Sequence, residues 1–282
     1  MSTISRRDLI KSGVLGAVSL SVGATVQSCQ SSTQFRKKNE RKFTLGLASY
    51  TSRKFNLEQT LAMTRLVDLT AIALKSFHLP LDATVNEIKA VAAKTKSAEL
   101  DLYGGGVIYM NDEHQVNQAF EYAKTAGMRV IIGVPNHELL GLVNQKVKEY
   151  DICVAIHNHG PGEKMYPSPE SIYEKIKLSD KRVCLCLDIG HCQRLGLNPA
   201  AQAEQFADRL LDVHIKDVTE STENGKSIEI GRGVIIIPSF LTALLKINYS
   251  GVVAFEYEKD EDDPLPGLAE SVGYVRGVLD VI

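Results

Sequence analysis

The chain of 282 residues, 44% hydrophobic and 23% charged, is long enough for one large α/β domain. Its formal net charge of −2 gives no electrostatic reason to expect nucleic acid or an anionic membrane face as a partner. Cys153, Cys184, Cys186 and Cys192 follow neither a metal-binding spacing nor a disulfide framework, which indicates small buried side chains.

The first thirty residues have the pattern of an export signal. Arg6 and Arg7 precede an uncharged apolar stretch over 12–26 that is too short to span a membrane. The pattern resembles a twin-arginine signal, so we expect residues 1–30 to be removed and the protein to be exported to the periplasm. The alternative is a buried N-terminal helix. Cys29 lies in a loose match to a lipoprotein cleavage box, which leaves a lipid anchor at this residue open.

A polar, basic tether is predicted over 31–42 and a single folded domain over 43–282. In that domain, short β-rich runs alternate eight times with longer helical patterns. Several runs are almost entirely apolar, as is typical of parallel strands buried on both faces. Eight alternations within one domain predict the α/β class and a single (β/α)₈ TIM barrel, in preference to an open doubly wound sheet. The predicted strands are 43–48, 69–74, 98–103, 128–134, 152–157, 183–188, 211–215 and 252–257.

The segments between the strands begin with helix-capping residues. Thr84 and Glu87 form a capping box, and Ser168 and Asn198 each precede a proline at the first helical position. No G-x-G-x-x-G motif opens a helix, so a dinucleotide site is not expected. The glycine run 104–106 is expected to form a flexible loop at the barrel mouth.

Four later strands end in residue types that bind metals. Functional groups of this fold lie at the C-terminal ends of strands, where the sequence places His157, Asp188, His214 and Glu256, separated by 31, 26 and 42 residues. A single Asp or His at a strand end is usually a helix cap, but four in successive units favour one shared site. Two imidazoles and two carboxylates suit one divalent ion, with Mn²⁺, Zn²⁺, Co²⁺, Fe²⁺ and Mg²⁺ left undistinguished.

Four short motifs surround these residues: His157-Asn158-His159, Asp188-Ile189-Gly190-His191, His214-Ile215-Lys216-Asp217 and Phe255-Glu256-Tyr257-Glu258. They resemble the xylose isomerase-like barrel superfamily of sugar isomerases and epimerases, and the resemblance covers 43–282. It implies a metal held by Glu, Asp, His and Glu from the last four strands. Asp188, His214 and Glu256 match this set, whereas the first position holds His157.

Other side chains of these motifs are candidates for catalysis. The resemblance implies that His191 faces metal or substrate; its alternative role is a capping hydrogen bond. Lys216 lies two residues beyond His214, so both point into the mouth, where an ammonium could stabilise an enolate oxygen. Its alternative is a salt bridge to a neighbouring carboxylate such as Asp217. His159 is expected to bind substrate or to orient a metal ligand.

Weaker candidates for substrate binding lie in loops. Lys75 and His78 follow the second strand, and Asn136 closes the fourth. Arg232, between two glycines, either brings a guanidinium to the substrate or belongs to a simple turn. For Lys75 and His78, a solvated loop position is an equal alternative.

The resemblance implies a metal-dependent sugar isomerase or epimerase that removes a proton next to a carbonyl through a metal-stabilised enediolate. Glu256, Lys216, His191 and His159 are its catalytic candidates. A lyase or hydratase that eliminates the aglycone of a keto-glycoside is an alternative, because a metal-bound imidazole at His157 supplies no second base. A non-catalytic sugar-binding barrel is a third possibility, whereas the charge balance and export signal disfavour an abasic-site endonuclease. The substrate is expected to be an unphosphorylated sugar or glycoside; its identity and the oligomeric state stay open.

Overall fold

The computed structural model describes residues 41–282. The predicted export signal, the possible lipid anchor at Cys29 and most of the predicted tether lie outside this range. Within it, no helix combines the length and the apolar character that crossing a membrane requires.

Eight parallel strands close into a barrel, which confirms the predicted fold class. Each strand pairs with its neighbour along the chain, and the last strand closes the ring on the first through the register Thr44 to Val252. A small antiparallel pair, β8 (Asp217–Val218) and β9 (Ser227–Ile228), is inserted after the seventh barrel strand. The barrel strands are β1 (Thr44–Ala48), β2 (Ala71–Leu74), β3 (Asp101–Met110), β4 (Val130–Pro135), β5 (Cys153–His157), β6 (Val183–Asp188), β7 (Leu210–Ile215) and β10 (Val252–Phe255).

Helices separate the strands and begin largely where the capping residues predict. The Thr84 capping box opens the second helix, and Ser168 and Asn198 cap the fifth and seventh, each followed by proline. The helices are α1 (Leu57–Leu66), α2 (Val85–Ser97), α3 (Glu113–Ala126), α4 (Leu140–Tyr150), α5 (Pro169–Ile176), α6 (Ile189–Arg194), α7 (Pro199–Gln205), α8 (Ile237–Lys246) and α9 (Leu265–Val281).

Apolar side chains fill two separate regions. Larger residues pack between the strands and the helices, whereas the barrel interior is lined mainly by small residues. This interior group includes Ala48, Ala73, Ala155, Cys186 and Ala254. Small side chains at these positions leave space inside the barrel for a set of polar side chains near its C-terminal end. The four cysteines of the described region are free, as predicted.

The glycine run 104–106 corrects one prediction, because it lies inside β3 and not in a loop. A Cβ on Gly104 would lie 2.9 Å from the carbonyl oxygen of Val130, and one on Gly106 would lie 2.0 Å from that of Ile132. Residues with side chains would therefore force β3 away from β4. The glycines allow β3 and β4 to pack closely. The strand runs to Met110, well beyond its predicted end at residue 103.

Candidate functional site

The four predicted metal ligands converge at the C-terminal end of the barrel. His157 and Asp188 end β5 and β6, His214 lies in β7, and Glu256 directly follows β10. Their potential ligand atoms all lie within 4.8 Å of one another. His157 Nε2 lies 3.1 Å from His214 Nδ1 and 3.4 Å from Asp188 Oδ2, and His214 Nδ1 lies 3.2 Å from Glu256 Oε2. We call these four residues the metal-candidate cluster.

The spacing and chemistry of the cluster fit one divalent cation. Nitrogen and oxygen ligands about 2.0–2.2 Å from a tetrahedral ion lie roughly 3.3–3.6 Å from one another, close to the separations observed. Asp188 also divides its two oxygens between two tasks. Its Oδ1 accepts a hydrogen bond from the His191 backbone N–H at 2.8 Å and so caps α6, whereas Oδ2 is buried and faces His157 Nε2 at 3.4 Å and Lys216 Nζ at 2.9 Å. A helix cap and a metal ligand are thus compatible in this one side chain.

The charge states of the two carboxylates and of His157 suit a cation. Burial alone would raise the pKa of Asp188, but nearby His191 and Lys216 hold that pKa well below its usual value. The pKa of Glu256 is likewise held low, against burial, chiefly by Lys216 and His214. Burial lowers the pKa of His157 well below its usual value. At neutral pH the carboxylates are therefore ionised and His157 carries a free lone pair, as metal binding requires.

Lys216 lies at the centre of the surrounding charge network. It is 4% exposed, and its Nζ lies 2.9 Å from Asp188 Oδ2 and 2.7 Å from Glu256 Oε2 while also donating to Glu258. Burial alone would lower the pKa of Lys216, but the three carboxylates raise it well above its usual value. Lys75 Nζ lies 3.6 Å from Glu256 Oε1. Three carboxylates thus face two ammonium groups and His214, whose pKa is raised by Glu256 although burial alone would lower it.

Two further imidazoles border the cluster. The His159 ring lies 4.5 Å from that of His157, and its Nε2 lies 3.2 Å from the Tyr109 hydroxyl. Burial lowers the pKa of His159 to about 4, so the ring is neutral at pH 7. His191 Nε2 lies 3.9 Å from Asp188 Oδ2. His191 and Lys216, which both lie close to Asp188, line a cleft of about 410 Å³.

Comparison with known proteins identifies the family. The profile of the xylose isomerase-like TIM barrel family matches residues 71–278, which is most of the chain. The chain belongs to this family. The family that the four sequence motifs indicated is thereby confirmed.

Individual relatives are distant. The Rhizopine catabolism protein MocC of Rhizobium meliloti is 25% identical over 145 residues, 46% of this chain, and the chain matches only 44% of that protein. The structure of IolI protein with a bound zinc atom has a TM-score of 0.69 at 18% identity, covering 84% of this chain and 98% of IolI. The 3-keto-D-glucoside 4-epimerase YcjR of E. coli has a TM-score of 0.67 at 17% identity, covering 84% and 100%. At these identities the structural likeness establishes the fold.

Three predicted substrate-binding residues of this xylose isomerase-like barrel lie away from the cluster. His78 is 5% exposed, and its ring forms hydrogen bonds with the hydroxyl groups of Ser49 and Thr60, so it links the segment after β1 to α1. The Asn136 amide donates to a backbone oxygen at the end of β3. Arg232 forms an exposed ion pair with Glu270. The structure therefore gives these three side chains local partners, and only Lys75 of the four weaker candidates reaches the cluster.

The alternative expected for Lys216, a salt bridge to a neighbouring carboxylate, is present, but its partners are Asp188, Glu256 and Glu258 and not Asp217. Asp217 instead accepts hydrogen bonds from the backbone N–H groups of Gly231, Gly233 and Ile235. Its carboxylate is thus the centre of the Gly-Arg-Gly turn. Arg232, between the two glycines of this turn, is exposed and pairs with Glu270.

Sequence reasoning missed three residues that support the site. Asn158 holds the ends of β5 and β6 together, because its side chain both donates to the Asp188 carbonyl and accepts from the Asp188 N–H. Tyr109 lies in the part of β3 that extends beyond the predicted strand end, and its hydroxyl contacts His159. Asp212 lies beneath His214, with its Oδ2 3.7 Å from His214 Nε2. Its position two residues before His214 in one strand was an available signal, since such residues share a face.

Proposed function

We propose that this chain is a divalent-metal-dependent sugar isomerase or epimerase that removes a proton from a carbon next to a carbonyl group. The observation that carries the proposal is the convergence of His157, Asp188, His214 and Glu256 at the mouth of a barrel of this family. A divalent cation held by these residues would polarise the substrate carbonyl and acidify the neighbouring C–H. The zinc atom named for the IolI structure supports a metal ion in a protein of this fold, and the choice of metal stays open.

The chain's own residues supply the proton transfer. Glu256 is an ionised carboxylate and can accept the proton. Lys216 keeps its proton and can donate a hydrogen bond to the substrate oxygen that becomes negative. His159 and His191 have pKa values lowered by burial, so they are neutral imidazoles that can accept and pass on a proton at the edge of the cluster. Lys75, beside Glu256, is the remaining candidate for contacting sugar oxygens.

A specific observation keeps elimination from a keto-glycoside as the second candidate. The family pattern places one glutamate on the fifth strand and one on the last strand. This chain has His157 in place of the first, so Glu256 is the one remaining glutamate of that pattern that can move a proton. The Tyr109 hydroxyl and His159 form a hydrogen-bonded pair on the outer side of His157. A hydroxyl in that place can protonate a departing oxygen, which suits a lyase or hydratase.

A substrate panel in D₂O tests the proposal. We expect free sugars, keto-sugars or keto-glycosides to exchange a C–H for deuterium or to turn over, and sugar phosphates to be inert, because export leads to a compartment poor in phosphorylated sugars. Glu256→Gln should slow the reaction by about 10²–10⁴, and Glu270→Gln, which changes an exposed carboxylate, should not. NMR of the substrate protons reports both. Turnover of sugar phosphates alone would contradict the proposed substrate class, and sugar binding with no exchange would favour the non-catalytic alternative.

Export itself is a separate proposal, supported by the twin arginine of the sequence. Replacing Arg6 and Arg7 with lysine is expected to leave the protein in the cytoplasm, because the twin-arginine pathway depends on both guanidinium groups. Cell fractionation followed by immunoblotting measures the effect. If Cys29 carries a lipid, Cys29→Ser should move the exported protein from the membrane fraction to the soluble fraction. Normal export of the double lysine variant would contradict the signal assignment.

A further inference from the structure

Asp212 is a buried carboxylate for which the proposed reaction has so far given no role. It precedes His214 by two residues in β7, and both side chains point into the barrel. Asp212 is 1% exposed. The Tyr103 hydroxyl donates to its Oδ1 at 3.1 Å and the Cys186 thiol donates to its Oδ2 at 3.4 Å. Among residues 41–282, no lysine or arginine forms an ion pair with it.

This environment is costly for a carboxylate. Burying a carboxylate among apolar side chains with no lysine or arginine beside it is unfavourable, and two neutral donors offset only part of that cost. The surrounding barrel interior consists of Ala, Val, Ile and Cys side chains together with Tyr103. An apolar residue would pack there without the penalty, so the carboxylate calls for an explanation other than packing.

The unpaired nitrogen of His214 supplies that explanation. Asp212 Oδ2 lies 3.7 Å from His214 Nε2, which is buried and has no hydrogen-bond partner among the described residues. The opposite nitrogen, Nδ1, faces His157 and Glu256 within the metal-candidate cluster. A neutral imidazole has one N–H and one lone pair. Only with the proton on Nε2 does Nδ1 present its lone pair to a cation.

We propose that Asp212 is a positioning residue that holds the proton of His214 on Nε2 and so directs the Nδ1 lone pair into the cluster. A carboxylate behind a metal-binding imidazole fixes both the tautomer and the angle of the ring, and its loss typically weakens metal binding. At 3.7 Å the carboxylate is close enough to favour a proton on Nε2 electrostatically. The inference rests on the metal site proposed above and adds the residue that orients one of its ligands.

Zinc binding by wild type, Asp212→Asn and Tyr103→Phe tests the inference. The asparagine side chain keeps the size of Asp212 but can offer its NH₂ group to Nε2, which favours the wrong tautomer. We expect its apparent Kd for Zn²⁺, measured by competition with a chelator, to rise about 10–100-fold. Tyr103→Phe removes a donor to Asp212 and keeps the carboxylate, so its Kd should change by no more than a few-fold.

Spectra of ¹⁵N-histidine-labelled, zinc-loaded protein provide a readout that a purely structural role would not move. Wild type should show His214 with a proton on Nε2 and the metal on Nδ1, and this N–H signal should shift or disappear in Asp212→Asn. A wild type that binds Zn²⁺ while Asp212→Asn binds it equally well would overturn the inference and leave the metal site intact. The same holds if wild-type His214 carries its proton on Nδ1. A wild type without Zn²⁺ binding would overturn both.

Discussion

Asp188→Asn is expected to weaken divalent-ion binding by about 100-fold or more, because even residues behind metal ligands contribute 10–100-fold. The variant should remain folded, since asparagine caps helices as well as aspartate and can keep the hydrogen bond from the His191 N–H that begins α6. The change therefore removes the negative charge that faces the cluster while it preserves the cap. Isothermal titration with Mn²⁺ or Zn²⁺ measures the affinity, and circular dichroism checks the fold.

Asp112→Asn is the matched control for this prediction. Asp112 caps α3 through a 2.8 Å hydrogen bond from the Gln115 N–H, at an exposed position. Its replacement makes the same chemical change at a helix start outside the cluster, so metal affinity should equal that of wild type. If Asp188→Asn also binds the ion with wild-type affinity, Asp188 is only a cap and the cluster has been wrongly assigned.

Lys216→Met is expected to lower the free energy of unfolding of the metal-free protein by about 3–5 kcal/mol, the usual cost of removing one partner from a buried ion pair. Lys216 is 4% exposed and contacts Asp188, Glu256 and Glu258. Methionine keeps the length of the side chain but leaves these carboxylates with little compensation at close range. Urea denaturation followed by circular dichroism, in buffer freed of divalent ions, measures the change.

Lys259→Met provides the comparison. The Lys259 ammonium lies 2.8 Å from Glu229 but its side chain is 42% exposed. Solvent screens this ammonium, so its loss should lower the free energy of unfolding by much less than the loss of Lys216 does. Equal stability of the Lys216 and Lys259 variants would show that the carboxylates around Lys216 do not depend on its charge, and the electrostatic description of the site would have to be abandoned.

The barrel and the four cluster residues were predictable because their signals are local. A strand followed by a helix leaves its own periodic pattern, and eight repeats of that pattern permit few architectures. The end of each late strand could be located from the sequence, so His157, Asp188, His214 and Glu256 could be placed at one end of the fold. Their meeting within a few ångströms follows from barrel closure.

The other site residues depend on partners distant in sequence. Whether His78 faces a ligand depends on Ser49 and Thr60, and whether Arg232 does depends on Glu270; no local pattern reveals these pairs. The glycine run 104–106 has the composition of a loop, yet its function depends on the backbone of β4 beside it. Asp212 could have been found from its spacing to His214. A prediction based on strand ends, however, considers only the last residues of each strand and not those one layer deeper in the barrel.

The measurement that tests the central claim most directly is solvent deuterium exchange at the C–H next to the carbonyl of a substrate. One preparation is assayed by NMR as purified, after removal of divalent ions by a chelator, and after Mn²⁺ or Zn²⁺ is returned. We expect exchange to fall by about 10²-fold or more on chelation, equivalent to several kcal/mol of stabilisation, and to recover when the ion is restored. Undiminished exchange in protein shown to contain no divalent ion would contradict the account.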